Sequence, residues 1–303
     1  MNAPARVEGA RINAGRSYDA VAHRAMDIRA FVAIDLALRD AGIRAPEIFA
    51  VNLDQGLLLQ EDLGAQGIVD SAGAAILQRY EAAIDLLVYM HGRSWPDRLP
   101  FPGGGTFIVP PYDRDALLVE VSLFPDWFGA QSSEAVFPRD QREAFLFGWS
   151  ELLATIKNPN ATWTLRDFHS PNILWQANGT GLARVGVIDF QDTLVGHPAY
   201  DVASLAQDAR VDLSATDEAR LVSRYVEARR ATDPAFDAGG FDRAYAILAL
   251  QRATKVLGIF TRLALAEGKP GYQKHRARLK ALIRRTLADP VLSPLRLWYE
   301  PYL

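Results

Sequence analysis

Apolar residues recur along this chain at two periods, and the changes of period mark its elements. Between Asp27 and Ala41, the residues Ile28, Phe31, Val32, Ile34 and Leu38 form one stripe at near-helical spacing, which predicts an amphipathic helix capped by Asp27. Gly42 supplies the stop and Pro46 confirms it. The runs EIFAV and LLLQEDL, separated by NLDQG, read as the two strands of a hairpin. Gly64 and the polar residues after it mark a hinge. From about Ser71, the segment AAILQRYEAAIDLLVYMHGRSW returns to helical spacing. The glycines and prolines of PGGGTFIVPPYDR predict a loop. Two further helices are expected over DRDALLVEVSLFPDWF and RDQREAFLFGWSELLATIK. ATWTL and ILW predict short strands, and RVGVIDF a buried one. After Pro198 the chain reads as helix almost throughout, over 198–208, 216–230, 240–266 and 272–287, with Pro290 ending the last.

The pattern describes an α+β chain. A small part with a hairpin, residues 1–64, precedes a larger and mostly helical part, residues 65–303, whose short strands hold polar loops. Composition narrows the function. Of 303 residues, 49% are hydrophobic and 23% charged, an ordinary globular balance. The net charge of −3 provides no basic field for nucleic acid. With no cysteine, disulfides, thiol catalysis and Cys-ligated zinc are excluded. MNAPARVEGA lacks the apolar run of a signal peptide, and no stretch of about 18 apolar residues suggests a membrane span. The expected location is the cytoplasm, with neither membrane nor nucleic acid as partner.

The chemistry concentrates in LRDFHSPN, Leu165 to Asn172. Asp167 and Asn172 lie five apart, and Asp189 follows Asp167 by 22 residues, at the end of the apolar run VGVIDF. A short hairpin between them would bring both loops to one edge. Two carboxylates and an amide oxygen form a hard-oxygen set, suited to Mg²⁺. The spacing matches the kinase pattern H-R-D-x-x-x-x-N followed by D-F-G. Here it reads Leu165-Arg166-Asp167, four residues, Asn172, and later Asp189-Phe190-Gln191. In that chemistry Asp167 accepts or orients the proton of an attacking hydroxyl, while Asn172 and Asp189 hold the metal that neutralises the phosphates of ATP.

LRDFHSPNILW followed by VGVIDFQDTLVGHPAYDVASL resembles the aminoglycoside phosphotransferase and choline kinase superfamily. Within it the chain is most similar to bacterial cell-wall sugar kinases, which phosphorylate the anomeric hydroxyl of N-acetylmuramate or N-acetylglucosamine. GLLLQEDLG, PGGGTF, PPYDRDALLVEVSLFPDWF and QRATKVLGIFTRLA extend the likeness over nearly the whole chain. The resemblance implies a protein-kinase-like fold, ATP and Mg²⁺ as cofactors, and a small-molecule hydroxyl as substrate. It also implies that backbone around Glu61, Asp62 and Leu63 binds adenine and that Asp201 supports the catalytic loop. Two departures stand out. The strands and phosphate-covering loop that open the small lobe are expected to be missing, with MNAP resembling the end of a third strand. No lysine precedes Lys157, so the usual phosphate-binding lysine is absent, and an arginine such as Arg6 or Arg11 is a candidate substitute.

Several residues carry two readings. Glu120 is either on a solvated helix face or a ligand for substrate hydroxyls. Asp192 is either near the metal and substrate or a turn residue. Arg166 and His169 are expected to hold the loop rather than to react, and His91 and His197 to be structural. The tryptophans are most simply core, and the arginine-rich end a solvated face. The alternatives to an amino-sugar kinase are a catalytically silent binder of the same fold, or a kinase for an aminoglycoside, choline or homoserine.

Overall fold

A computed structural model describes residues 15–128, 139–158 and 161–303. The MNAP segment, Arg6 and Arg11 lie outside the described residues. The chain divides into two compact units, one drawn from residues 1–24, 113–156 and 250–303, the other from residues 25–112 and 157–249.

Elements are numbered along the chain. After the single turn α1 (Tyr18–Val21), helix α2 (Ile28–Asp40) begins where Asp27 caps the Arg29 N–H, and its apolar stripe is buried through Val32, Ile34 and Leu38. Strands β1 (Ile48–Asn52) and β2 (Leu57–Gln60) pair antiparallel as the expected hairpin. Helix α3 (Leu77–His91) starts later than its spacing suggested, because residues 65–76 make turns and short bridges first.

The segment expected to be a loop is instead a second hairpin, β3 (Arg98–Phe101) with β4 (Gly105–Ile108). Gly103 and Gly104, both at φ near +90°, make its turn. The Phe101 ring occupies the space that a side chain at position 105 would need. Glycines that signalled a loop were therefore turn residues between two strands.

Helix α4 (Arg114–Val121) is shorter than expected and gives way to a π-helical turn over Phe124–Phe128, where Pro125 lacks a backbone donor. Helix α5 (Arg139–Ala154) follows. Four short strands come next: β5 (Thr162–Thr164), β6 (Ile173–Trp175), β7 (Val185–Val187) and β8 (Leu194–Gly196). β6 pairs with β7 and β5 with β8, both antiparallel. The strand expected over RVGVIDF ends at Val187, because Asp189 takes a left-handed conformation at φ 60.

The rest is helical: α6 (Ala199–Ala206), α7 (Ala215–Thr232), α8 (Ala238–Ala266), α9 (Arg276–Thr286) and α10 (Arg296–Tyr299). A 3₁₀ turn over Pro270–His275 replaces the first part of the helix expected from 272, and the chain keeps turning helically beyond Pro290.

In the second unit, α3 packs along α7 and α6 behind the two short sheets. In the first, an aromatic core gathers Phe124, Phe145 and Tyr299, with Trp149 Nε1 and Thr254 Oγ1 both bonded to the Tyr299 hydroxyl. No helix among the described residues is long and apolar enough to cross a membrane.

Candidate active site

The loop between β5 and β6 is shaped by backbone contacts. Asp201, fully buried near the start of α6, accepts the Leu165 and Arg166 N–H groups at 2.7 and 2.9 Å. Arg166 sits at φ 70, a conformation uncommon for a residue with a long side chain. Its guanidinium lies over the Tyr112 ring, 5.5 Å from the centroid. Arg166, Asp189 and His23 are the non-glycine residues with positive φ among those described, and two of them belong to the expected site. Backbone strain of this kind persists only where its surroundings enforce it.

The tip of the loop folds over itself. The His169 N–H donates to the Asp167 carbonyl at 3.1 Å, and the Asn172 N–H to the His169 carbonyl at 2.9 Å, closing a short 3₁₀ turn at Ser170–Asn172. Asn172 then ties the two acidic positions together. Its Nδ2 donates to the Asp167 carbonyl oxygen at 3.0 Å and to Asp189 Oδ2 at 3.1 Å. The β6–β7 hairpin makes this possible, and the Ile188 N–H adds a bond to the Asn172 carbonyl at 3.1 Å. Asp167 is half-buried and Asp189 exposed.

With Nδ2 turned to its two acceptors, Oδ1 is the amide atom left for a cation. Asn172 Oδ1 and the Asp189 carboxylate are both hard oxygens. Among the described residues, no group of three or more His, Cys, Asp or Glu side chains converges as a metal site. A donor set this small fits Mg²⁺, which takes one or two protein carboxylates and completes its octahedron with water and phosphate. It does not fit a caged structural ion. Asp189 Oδ1 also accepts from Gln191 Nε2 at 2.7 Å.

The segment after β2 is anchored by side chains. Glu61 makes a two-pronged ion pair with Arg44, one prong at 2.7 Å, which holds its carboxyl below the ordinary range. Asp62 Oδ1 accepts from the Gly64 N–H at 2.8 Å, and Gly64 sits at φ 82. The Leu63 carbonyl accepts from Gln176 Nε2 at 2.9 Å, which fills one of its two acceptor positions. The Leu63 side chain lies against Gly186 of β7, where an added Cβ would stand 3.0 Å from it.

The remaining candidates separate. Asp192 is buried and its Oδ1 accepts the Ala25 N–H at 2.7 Å, a long-range staple to the residues before α2. His169 is buried with Nε2 3.3 Å from Arg210. His91 is buried with Nδ1 2.9 Å from the Tyr225 hydroxyl, and burial holds its pKa below the usual value. Burial also pushes His197 down to about 4. Glu120 belongs to the other unit. It is fully buried rather than solvated, with Lys255 Nζ and Gln251 Nε2 each at 2.9 Å from its carboxylate.

Sequence reasoning missed Asp208. It is buried, accepts from the Ser170 and Arg210 N–H groups at 2.8 and 2.9 Å, and lies 3.4 Å from the Tyr80 hydroxyl. It is a second carboxylate holding the loop from below. The only local signal was an aspartate just past a helix end. Asp35 was missed too. It is fully buried on α2, neither of its oxygens has a partner among the described residues, and burial raises its pKa to about 7.

A short-stranded hairpin that presents an aspartate, an asparagine and a second aspartate from a mainly helical frame is the architecture of kinase-like phosphotransferases. Residues 16–240 match the phosphotransferase enzyme family, APH, and the chain belongs to that family. The chain is 34% identical over 300 residues to the N-acetylmuramate/N-acetylglucosamine kinase of Caulobacter vibrioides, covering 96% of this chain and 79% of that protein. It is 33% identical over 275 residues to the kinase of the same name from Pseudomonas putida, covering 88% and 76%. Among solved structures, a choline/ethanolamine kinase family protein from Mesorhizobium loti shares the fold, with a TM-score of 0.56 at 16% identity over 89% of this chain and 82% of that one.

Proposed function

We propose that this protein transfers the γ-phosphoryl group of ATP to a hydroxyl of an N-acetylated amino sugar, in a Mg²⁺-dependent reaction. The observation that carries the reading is the Asn172 amide, bonded at once to the Asp167 backbone and the Asp189 carboxylate. The names of the relatives support the acceptor class.

In this reading Asp167 faces the acceptor hydroxyl and takes its proton as the new P–O bond forms. The bond from the γ-phosphorus to the ADP oxygen breaks, and its electrons leave with ADP. Asn172 and Asp189 would hold Mg²⁺, which when bound would supply charge neutralisation on the phosphate oxygens. Backbone of Glu61, Asp62 and Leu63 lies along the adenine. Arg166, His169 and Asp201 keep the loop in place and take no part in proton transfer. Asp192 acts through the packing before α2. Residues 1–64 and 65–303 serve as the small and large kinase lobes, and the reaction takes place in the cytoplasm.

The test is phosphate transfer from labelled ATP with Mg²⁺ to N-acetylglucosamine, N-acetylmuramate, kanamycin, choline and homoserine. A sugar phosphate formed with either amino sugar, and lost with EDTA, is expected. Transfer to kanamycin, choline or homoserine alone would refute the acceptor class. No transfer to any of them would leave the fold as a binder.

A further inference from the structure

A cavity of about 460 Å³ opens on the unit that carries the catalytic loop, and none of the residues given a role in phosphotransfer lines it. Its walls come from the end of α3 and the residues after it, from β5 and from the end of α7. Four wall residues are more than nine-tenths buried and carry a polar atom with no hydrogen-bond partner among the described residues. These atoms are Thr162 Oγ1, Trp163 Nε1, Arg229 Nε and His91 Nε2, the last lying 3.7 Å from Asp201 Oδ2. A buried indole N–H ordinarily finds a partner. Trp163 Nε1 and Arg229 Nε can only donate, so the partner they lack is an acceptor oxygen.

The charge on the walls tells what kind of molecule bears that oxygen. Arg93 and Arg229 are balanced by Asp97 and Asp233, and Arg229 already lies 3.6 Å from Asp233 Oδ2. His91, also in the wall, is held neutral by burial. No surplus positive charge remains for a phosphate or a carboxylate. The two carboxylates and the Ser94 hydroxyl can accept from hydroxyl groups. Trp95 stacked on Trp163, centroids 4.3 Å apart at 11°, adds an apolar surface. Unmatched donors, available acceptors and an indole pair are the mixed lining of a site for a neutral hydroxylated ligand.

We propose that this cavity binds a small neutral polyhydroxylated molecule, a monosaccharide or polyol, at a site distinct from the catalytic loop. Thr162 and Trp163 stand on the strand that leads directly into Leu165–Asp167, while no residue of that loop lines the cavity. Binding here does not depend on the phosphotransfer reading and survives if that reading fails.

The experiment is calorimetric titration with methyl α-glucopyranoside and myo-inositol, neither of which has an anomeric hydroxyl to phosphorylate. Inorganic phosphate serves as the charged control. The variants are Ser94→Phe and Asp97→Ala, both at exposed positions, and Asp167→Asn. Saturable binding of at least one neutral probe is expected, unchanged in Asp167→Asn and weaker by about tenfold or more in Ser94→Phe and Asp97→Ala. Unfolding midpoints should match wild type in both exposed-site variants. Binding weakened by Asp167→Asn but not by Ser94→Phe would overturn the proposal, because the probe would then sit at the catalytic loop. Binding of phosphate alone, or no saturation up to the solubility of either neutral probe, would overturn it as well.

Discussion

The tip of the catalytic loop and the layer beneath it use the same side chain in opposite ways. At the tip, Asp167 is half-buried and Asp189 exposed, and the Asp189 carboxylate takes side-chain donors, the Asn172 and Gln191 amides. Beneath, Asp201 and Asp208 are fully enclosed, and each takes two backbone N–H groups. A carboxylate proposed to meet substrate or metal keeps a face open to solvent, and that of Asp189 is held by side chains alone. A carboxylate that must fix a backbone is saturated with donors, which compensates the cost of taking its charge out of water. Asp35 on α2 fits neither pattern, being enclosed as deeply as Asp201 without a donor, and burial shifts its protonation instead.

The largest effect should come at the tip. Asp167→Asn is expected to lower kcat by about 10²- to 10⁴-fold, the usual range for losing a general base. Its unfolding midpoint should stay close to that of wild type, because the His169 N–H and the Asn172 amide at the tip bond to the Asp167 backbone carbonyl, which the substitution leaves in place. Steady-state kinetics beside a thermal melt would check this, and a large loss of stability would erase the distinction between the two layers.

Asp201→Asn should show the reverse balance. An amide can accept one of the two N–H groups well but meets the other with a donor of its own. The expected cost is about 1.5–3 kcal/mol, as for a hydrogen bond to a charged group, read from urea unfolding. Activity should fall mainly through kcat, because the loop backbone at Leu165 and Arg166 loses its clamp. A normal urea midpoint would show that Asp201 is not what holds the loop.

The smallest effect tests the third case. The folded-state pKa of Asp35 lies above its unfolded value, so the folded chain holds a proton that the unfolded chain gives up. Stability from this group therefore falls as pH rises from about 4 to about 7 and levels off above. In melts across that window, the midpoint of Asp35→Asn relative to wild type should climb with pH and then plateau. A difference independent of pH would mean that Asp35 is ionised or paired in the native state.

How much of this was legible in the sequence depended on distance along the chain. The spacing of Asp167, Asn172 and Asp189 is local, and the strands between them announce themselves as apolar runs. The β1–β2 hairpin and most helices were legible for the same reason. The β3–β4 hairpin was not, because Gly103 and Gly104 signal a turn without saying whether strands flank it. The partners that finish the site were hidden for a different cause. Asp208 meets Ser170, Arg44 meets Glu61 and Asp192 meets Ala25 only after the chain has folded back on itself, and no periodicity encodes such meetings. The burial of Glu120 was unreadable because its partners Gln251 and Lys255 are also far along the chain.

The Asp201 clamp has a consequence for how the protein comes into being. The backbone groups it secures lie 36 and 35 residues earlier in the chain, and Ser170 waits for Asp208, 38 residues on. A nascent chain that has emerged only as far as the catalytic loop therefore owns the reactive residues but not their setting. If the loop acts as proposed, competence would arrive with the docking of α6, and a chain cut short before that helix should be inert.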